Sequence, residues 1–451
     1  MNKGLINVFG EHLRRLQHSC VCVGIHNEQP PSFAQSIYSA QTHVRIPSYT
    51  KQQMRPCLFL LAVTLLATQA NAQWDIEESH TTASLRGIHN VGGGVAWASG
   101  TNGTVLRTED GGYLWQTCSI PPGAEKLDFR GVQAFDENTA IVMSSGPGDQ
   151  SRLYKTTDGC QTWKLIFTNP DKDGFWDELQ FVPATGSDKG RTGYIIGDPV
   201  AGKFAKFWTL DYGESWSTYS KDPTAKVATA ESGESLFAAS NSSMILVRGG
   251  EVFVTGGTTS RSRTLGLHVL HDPYSRWRFV GGNIPIKHGP SAGAFSVAAH
   301  LGPDRVADQD AAKYPLKVTH SGDVFVTVGG DYKEPENSDD TCAFSIDGTL
   351  HWHNAQTPPH GYRSAVAYDA DQKLWITVGP NGTDISTDDG KNWHTLKPSA
   401  TDPANADKEW NALSLPFVVG PHGRIGRLRT ILRNSPASPA QTQPTKPPAT
   451  P

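Results

Sequence analysis

A short repeated pattern constrains the fold of this chain more than any other feature. In a complete copy, Ser or Thr is followed two residues later by Asp, then two residues later by Gly and three residues later by Trp. The complete copies are Thr108–Trp115, Thr209–Trp216 and Ser386–Trp393. Thr156–Trp163 lacks only the Gly, whereas Asp272–Trp277 and Asp347–Trp352 keep only the spacing of Asp and Trp. A unit that recurs in this way predicts a repeat architecture.

Each copy has the composition of a turn that is held by its own side chains and joins two β-strands. The hydroxyl and the carboxylate accept backbone N–H groups, and Gly adopts the positive φ that such a turn needs. The Trp begins the next strand as a large apolar anchor. We therefore predict structural roles for the Asp and Trp residues of the four best copies, Asp110, Trp115, Asp158, Trp163, Asp211, Trp216, Asp388 and Trp393.

The pattern resembles the Asp-box repeat, also called the BNR or sialidase-type repeat, of β-propellers. In that architecture each box is the third turn of a four-stranded blade, so an innermost strand is expected upstream of it. Seven apolar or alternating segments fit this expectation: Leu85–Val91, Phe129–Phe135, Trp176–Val182, Leu236–Leu246, Ala294–His300, Tyr362–Tyr368 and Trp410–Val419. We predict an all-β fold, a single seven-bladed β-propeller over residues 73–432, with six blades as the alternative.

The number of predicted innermost strands exceeds the number of repeat copies by one. If Trp74–Ser84 supplies the outermost strand of the last blade, that blade does not need its own third turn, and one copy should be missing. Pairing of the N-terminal strand with the C-terminal blade also removes a free sheet edge. We therefore expect this segment to pair within the sheet of residues 410–428.

The N-terminal region has the features of a secretory signal. Residues 54–72 pass from a positive start through the apolar run Cys57–Ala67 to small residues, with cleavage expected after Ala72. We expect translation to start at Met54, so that residues 1–53 are a mis-assigned start or disordered. A membrane anchor is the alternative, but this run of about 11 apolar residues is too short to span a bilayer. The mature chain is thus expected to be periplasmic or secreted, without a transmembrane segment.

Charge and composition exclude some classes of partner. Residues 73–451 contain 34 Lys and Arg against 42 Asp and Glu, a balance that argues against general nucleic-acid binding. Residues 433–451 are rich in Pro, Ser and Thr, which predicts a disordered tail. No His or Cys cluster has metal-ligand spacing, so we expect no metal and no cofactor. We also expect a monomer.

The mature chain has three cysteines, Cys118, Cys160 and Cys342, which allow at most one disulfide. Cys118 follows the first repeat copy and Cys160 lies inside the second. These two cysteines are therefore the candidates to face each other between neighbouring blades.

Charged residues at or near the starts of the innermost strands are the candidates for binding. They are Arg86, Arg130, Glu178 and Arg363, with Asp198 from a loop between a second and a third strand. The three arginines would converge on the axis and hold a carboxylate or a peptide chain end in bidentate pairs. The alternative is that they pair within the fold, with Glu178, Glu234 or Asp198 as partners.

An enzymatic interpretation follows from the resemblance to sialidases. That family uses an arginine triad for the sugar carboxylate and a Tyr nucleophile with a Glu partner. The resemblance implies Arg86, Arg130 and Arg363 as the triad, Tyr362 as nucleophile and Glu234 as its partner. The Arg-Ile-Pro signature of sialidases is absent here, because Leu85-Arg86-Gly87 stands in its place. This interpretation is a glycoside hydrolase that acts on acidic sugars.

Other segments resemble photosystem II stability/assembly factor-like propellers, a group that includes bacterial secreted proteins. The resemblance is carried by Phe129-Arg130-Gly131, Gly379–Asp384 and Pro421–Arg424. It implies a seven-bladed, non-catalytic scaffold that holds a partner polypeptide, partly through an arginine-rich surface. Arg86, Arg130 and Arg363 are the positions here that match such a role. We predict a binding protein of the cell envelope with a protein or peptide partner.

A third interpretation is a carbohydrate-binding propeller that stacks sugars on tryptophans. Its candidate residues are Trp97, Trp176, Trp208, Trp375 and Trp410. Most of them lie in predicted strands, where packing between blades is the more usual role.

Overall fold

The computed structural model describes residues 74–183, 190–218, 228–247, 250–265, 281–302, 305–306, 318–319 and 322–429, of which 305–306 and 318–319 are described by backbone alone. All of them belong to one compact unit, Thr68–Pro451. The predicted signal sequence, the segment before it, the Pro-rich tail and the repeat copy at Asp272–Trp277 lie outside the described residues.

The described residues form β-strands and one 3-10 turn, Gly148–Gln150, and contain no α-helix. The first strands in chain order are β1 (Trp74–Glu77), β2 (Leu85–Gly92), β3 (Val95–Gly100), β4 (Val105–Thr108), β5 (Gln116–Thr117), β6 (Phe129–Ala134), β7 (Ala140–Ser144), β8 (Arg152–Thr156), β9 (Lys164–Thr168), β10 (Trp176–Phe181), β11 (Gly193–Val200), β12 (Lys203–Thr209) and β13 (Ser217–Thr218). The middle strands are β14 (Glu234–Ser235), β15 (Met244–Val247), β16 (Gly250–Val254), β17 (Gly256–Gly257), β18 (Ser262–Leu265), β19 (Gly289–His300), β20 (Arg305–Val306), β21 (Val318–Thr319), β22 (Val324–Asp331), β23 (Cys342–Ser345) and β24 (His353–Asn354). The last strands are β25 (Ala365–Asp369), β26 (Leu374–Gly379), β27 (Gly382–Ser386), β28 (His394–Leu396), β29 (Ala412–Ser414), β30 (Phe417–Val419) and β31 (Ile425–Leu428).

The strands form antiparallel sheets, most of which have four members. The four-stranded sheets are β2–β5, β6–β9, β10–β13, β25–β28 and β29–β30–β31–β1. β15, β16 and β18 form a three-stranded sheet, and β20 pairs with β21. β14, β17, β19, β22, β23 and β24 form a sheet of six. The all-β prediction is confirmed, and this succession of four-stranded sheets is consistent with a β-propeller.

The strands inside each sheet are apolar on both faces, because neighbouring sheets cover each sheet on both sides. β7 and β26 are buried along their whole length, and their Ile, Val, Leu and Trp residues suit such strands. We call seven strands, one from each of the larger sheets, the first strands: β2, β6, β10, β15, β19, β25 and β29. They contact one another in that order, and β29 contacts β2. β19 is included although β14 and β17 precede it in its sheet. Apolar clusters fill the space between neighbouring sheets, as Ile141 and Met143 do against Trp176 and Phe207.

The N-terminal strand belongs to the sheet of the C-terminal residues. β1 pairs with β31, with Trp74 opposite Leu428 and Glu77 opposite Ile425, as the missing repeat copy predicts. The strand covers only part of the predicted segment. The prediction of one strand over 410–419 is wrong, because β29 and β30 are separate strands that turn back at Leu415-Pro416. Pro416 has no N–H to donate to a ladder.

Residues 236–243, which we call the axial segment, are not part of a strand, although one continuous strand was predicted over 236–246. The strand that forms here, β15 of the three-stranded sheet, begins only at Met244. Asn241 has a φ of 56°, outside the range of a strand. Its side chain makes two hydrogen bonds with the backbone of Leu179: it accepts from the N–H and donates to the carbonyl, both at 2.9 Å. These contacts with β10 replace the ladder that the sequence pattern predicts.

Five repeat turns lie in the described residues, and all have the same internal hydrogen bonds. The Asp Oδ1 accepts from the hydroxyl two residues earlier at 2.7 to 2.9 Å and from the N–H four residues later at 2.9 to 3.0 Å. The copy at Asp347 includes Ser345 as its hydroxyl, a position that the sequence comparison missed. Hydrogen bonds from Thr162 lower the pKa of Asp158 to about 2. The Asp side chains thus serve the turns themselves.

Candidate functional site

Two arginines meet on the side of the sheets where the first strands begin, which we call the leading face. Arg130 donates from Nε to Asp128 Oδ2 at 2.9 Å, and Arg86 Nε lies 3.5 Å from the same oxygen. Arg130 also donates from Nη1 to the carbonyl of Ala238 in the axial segment at 3.0 Å. The side chains of Arg86 and Arg130 are 31% and 27% exposed, so both are accessible; the Asp128 contact of Arg86 is an ion pair without a hydrogen bond from Nε.

An aromatic cluster lies next to this pair. Phe237 of the axial segment stacks on Phe295 with ring centroids 4.0 Å apart, and Tyr362 meets Phe295 edge to face at 4.9 Å. Tyr332 contacts Phe295 at 6.2 Å and is 47% exposed. Arg86 and Tyr362 are close enough that each affects the pKa of the other. The leading face therefore combines two accessible guanidinium groups with a partly exposed aromatic surface.

Two carboxyl groups lie behind this surface. Asp198 accepts the N–H of Leu236 at 3.0 Å, and burial raises its pKa. Burial, followed by the neighbouring Asp198, raises the pKa of Asp177 well above its usual value. Arg130 is the positive group that opposes this shift. Asp198 is thus half-buried and bound to the axial segment, whereas sequence reasoning proposed it as a ligand contact.

Arg363 is buried elsewhere in the fold and does not share the Asp128 contact of the other two arginines. Its guanidinium donates to Asp384 and Asn381 and also to the carbonyl of Tyr362. The side chain is fully buried. Its neighbour Tyr362 also precedes β25 and contacts Phe295 instead, so the two side chains have separate partners. The convergence of three arginines is therefore corrected to a pair, Arg86 and Arg130.

Glu178 and Glu234, both predicted at the site, are used within the fold. Glu178 accepts from the hydroxyl of Ser243 at 2.7 Å and from the N–H of Met244, and burial raises its pKa to about 8. Glu234 accepts from Thr255 at 2.7 Å and from Arg263 at 2.7 Å. Both carboxyl groups are buried, which corrects the prediction of Glu178 as a ligand contact.

The contacts of Tyr362 do not favour a nucleophilic role. A Tyr nucleophile needs a lowered pKa and a base within hydrogen-bond reach. Burial raises the pKa of Tyr362. Its supposed partner Glu234 is bound to Arg263 and Thr255 instead. The described residues therefore give the sialidase interpretation no assembled constellation.

The tryptophans proposed as sugar-stacking platforms are mostly inside the protein. Trp97, Trp176, Trp375 and Trp410 are at most 1% exposed, and Trp208 is half-buried. A sugar ring needs an open indole face. The four buried indoles therefore pack between sheets.

A cavity of about 880 Å³ lies at the opposite end of the first strands, where the sequence predicted no site. We call this end the turn face because the repeat turns lie there. All seven first strands contribute to the cavity wall, and Ser240, Asn241 and Ser242 of the axial segment also line it. No motif marks this cavity in the sequence. The signal would have been the alternating apolar residues in the second halves of the first strands.

The predicted pair Cys118 and Cys160 forms a disulfide with an S–S distance of 2.04 Å, and Cys342 is free and buried. Burial raises the pKa of the Cys342 thiol. Within the part of the chain that the structure describes, His, Cys, Asp and Glu form no group of three or more that would hold a metal ion. In that same part, no helix has the length and apolar character to cross a membrane.

Comparisons with known proteins give low similarities. No protein-family model matches the chain, and no curated protein sequence matches it. A solved structure described as YCF48 bound to D1 peptide is 17% identical, covers 79% of this chain and 97% of its own, and has a TM-score of 0.49. YCF48 from Cyanidioschyzon merolae is 19% identical, with 79% and 99% coverage and a TM-score of 0.45. A computationally designed protein, Ika8, is 10% identical, with 80% and 100% coverage and a TM-score of 0.42.

Proposed function

We propose that this chain is a seven-bladed, non-catalytic β-propeller that binds a protein or peptide partner through its leading face. The observation that carries the proposal is the pair Arg86 and Arg130, which share Asp128 as their ion-pair partner beside a partly exposed aromatic surface. Arg and Tyr dominate the energetics of protein interfaces because they bury large areas and make several hydrogen bonds. The candidate chemistry is a peptide that brings a carboxylate to the two guanidinium groups.

The blade count and the identity of the repeat belong to this proposal. Seven first strands contact one another in sequence, and each contributes to the same central cavity, which favours seven blades over six. The shared hydrogen bonds of the repeat turns support their interpretation as Asp boxes. Together with Phe129-Arg130-Gly131, these features favour a relationship to photosystem II stability/assembly factor-like propellers of the bacterial secreted type. A crystal structure with another number of sheets around the axis would contradict the blade count.

Export is also part of the proposal. The Cys118–Cys160 disulfide is suited to an oxidising compartment outside the cytoplasm. Residues 54–72 would serve as the signal and leave Gln73 as the first mature residue. Cell fractionation with N-terminal sequencing tests this. A chain found in the cytoplasm with Met54 retained would contradict it.

The binding proposal is tested with matched peptides. A library of peptides with free carboxyl termini and the same library with amidated termini are presented to the mature domain. We expect binders in the first set to lose about tenfold in affinity when amidated, since a charge-assisted bidentate contact is lost. The Arg86→Ala/Arg130→Ala double variant should show the same loss with the free carboxyl forms.

Arg427 provides the control for this experiment. Its side chain is 25% exposed, close to the value for Arg130, but it lies on β31, next to the outermost strand β1, and pairs with Glu77. Arg427→Ala should therefore bind the peptides as the unchanged domain does. Peptide binding that survives in the Arg86→Ala/Arg130→Ala variant would reject the leading face as the site. Light scattering on the same samples tests the expected monomer.

A further inference from the structure

The central cavity on the turn face has the properties of a small-molecule site, and it is separate from the leading face. Its volume of about 880 Å³ lies in the range of ligand sites, which is about 300 to 1,000 Å³. Partly exposed apolar residues of the first strands line its wall, among them Val91, Ile245, Ala298, Ala367 and Leu413. A wall of this kind favours apolar molecules because contact removes apolar surface from water.

The charged groups around the cavity are already satisfied within the fold. Lys155 donates to Glu214 at 2.6 Å and to the carbonyl of Tyr212 at 3.0 Å. Asp211 accepts from Thr209 and Ser215 inside its repeat turn. Asp136 accepts the N–H groups of Asn138 and Thr139, at 2.8 and 2.7 Å.

The one imidazole in the wall is also uncharged near neutral pH. Burial lowers the pKa of His89 to about 4. An ionised ligand would therefore lose its hydration in this cavity and meet no free counter-charge. The cavity thus favours an uncharged molecule.

One polar side chain in the wall has unused hydrogen-bonding capacity. Gln180 lines the cavity, and its Oε1 is buried without a hydrogen-bond partner among the described residues. A buried acceptor without a donor is costly. A half-turn of the carboxamide exchanges Oε1 and Nε2, so the group can offer either an acceptor or a donor to a molecule in the cavity. Oε1 is enclosed as it stands, so this half-turn is what would present the oxygen to a ligand that donates from a single hydroxyl or N–H group.

We propose that the central cavity binds an uncharged, mainly apolar small molecule whose single hydroxyl or N–H group pairs with Gln180. The axial segment closes the cavity on the side of the leading face. Asn241 is fixed there to both backbone groups of Leu179, and Ser240 donates to the carbonyl of Ser364 at 2.7 Å. The ligand therefore reaches the cavity from the turn face.

The test uses two dyes that differ in charge. N-phenyl-1-naphthylamine is neutral and apolar with one N–H group, and 8-anilino-1-naphthalenesulfonate has the same skeleton with an added sulfonate. We expect the neutral dye to bind at one site per chain, with saturable fluorescence enhancement, and at least tenfold more tightly than the sulfonate. Gln180→Leu should weaken the neutral dye about tenfold, the effect of one lost hydrogen bond.

Matched substitutions locate the site. Ala367 lines the cavity, whereas Ala370 is exposed in the turn after the same strand. Ala367→Phe should fill the space and weaken the neutral dye at least tenfold, and Ala370→Phe should bind as the unchanged protein does. Near-UV circular dichroism shows whether Ala367→Phe folds. If it does not, Ala298→Leu on β19 fills the same cavity and repeats the test. Absence of dye binding, equal affinity for both dyes, or full binding by a folded filled variant would each overturn the proposal.

Discussion

Replacement of the two bonded cysteines is expected to cost less when Cys160 becomes Gly than when it becomes Ala. Cys118 and Cys160 are 42 residues apart, and a loop of this length constrains the unfolded chain by about 4 kcal/mol. Cys160 occupies the Gly position of its repeat turn with a φ of 62°. A side chain in that left-handed conformation costs about 1 kcal/mol relative to Gly.

The expected losses of stability follow from the loop constraint and from the backbone strain at residue 160. Cys118→Ala/Cys160→Ala should lower the free energy of unfolding by about 4 kcal/mol, and Cys118→Ala/Cys160→Gly by about 3 kcal/mol. Equilibrium urea unfolding of the two double variants and the oxidised protein, followed by tryptophan fluorescence, measures the difference. Both variants lack the disulfide, so their comparison isolates the backbone term.

Two results would refute this reasoning. If both variants were as stable as the oxidised protein, the loop constraint would not contribute. If the Gly variant were no more stable than the Ala variant, the left-handed backbone at residue 160 would not be strained. The reduced form of the unchanged protein is a further control, since it keeps Cys160 but loses the constraint. Its free energy of unfolding should fall near that of the Ala variant.

Three other predictions follow from buried contacts. Trp74→Ala should lower the free energy of unfolding by about 3 to 5 kcal/mol, because the indole is 1% exposed and donates to Thr383. Ile76 on the same strand is 43% exposed, so Ile76→Ala should change the free energy of unfolding by less than about 0.5 kcal/mol. Equal effects of the two substitutions would mean that β1 is dispensable. Lys206→Met should lower the free energy of unfolding by about 3 to 5 kcal/mol, because Glu251 loses its buried ion-pair partner. The double variant Lys206→Met/Glu251→Leu should regain most of this stability, which thermal unfolding of both variants measures. Glu178, with a folded pKa of about 8 against 4.5 in the unfolded chain, should contribute stability that is complete below pH 4.5 and lost as the pH rises through 8. Glu178→Gln should remove this component from urea melts between pH 5 and 9.

The repeat turns show how much local chemistry the sequence contains. Their hydrogen bonds involve residues within four positions of each other, so a pattern of residue types was sufficient to predict them. The Cys118–Cys160 bond was predictable for a related reason. A Cβ at the equivalent Gly112, Gly213 or Gly390 would touch a side chain of the preceding sheet, so a Cys at this position faces that sheet.

Long-range contacts explain the predictions that were wrong. The run 236–246 alternates like a strand, but Arg130, Leu179 and Ser364 draw its first half out of the sheet. Arg363 was expected at the axis, yet its partners Asp384 and Asn381 lie about 20 residues further along the chain. Neither set of partners is marked by local spacing. The cavity was missed for the same reason, since its wall requires all the sheets at once.

The axial segment is the element that separates the two proposed sites. Its successive residues contact later and later positions of the surrounding strands: the carbonyl of Ala238 accepts from Arg130 near the start of β6, and the carbonyl of Ser242 accepts the N–H of Val297 further along β19. Phe237 and Ala238 therefore lie on the leading face, whereas Ser240, Asn241 and Ser242 line the cavity. Because one segment contributes to both surfaces, Arg130→Ala removes a contact on one side of it, whereas Ala367→Phe fills the cavity on the other. Peptide binding and dye binding should consequently be lost independently, and coupled loss would indicate that the axial segment moves as part of one site.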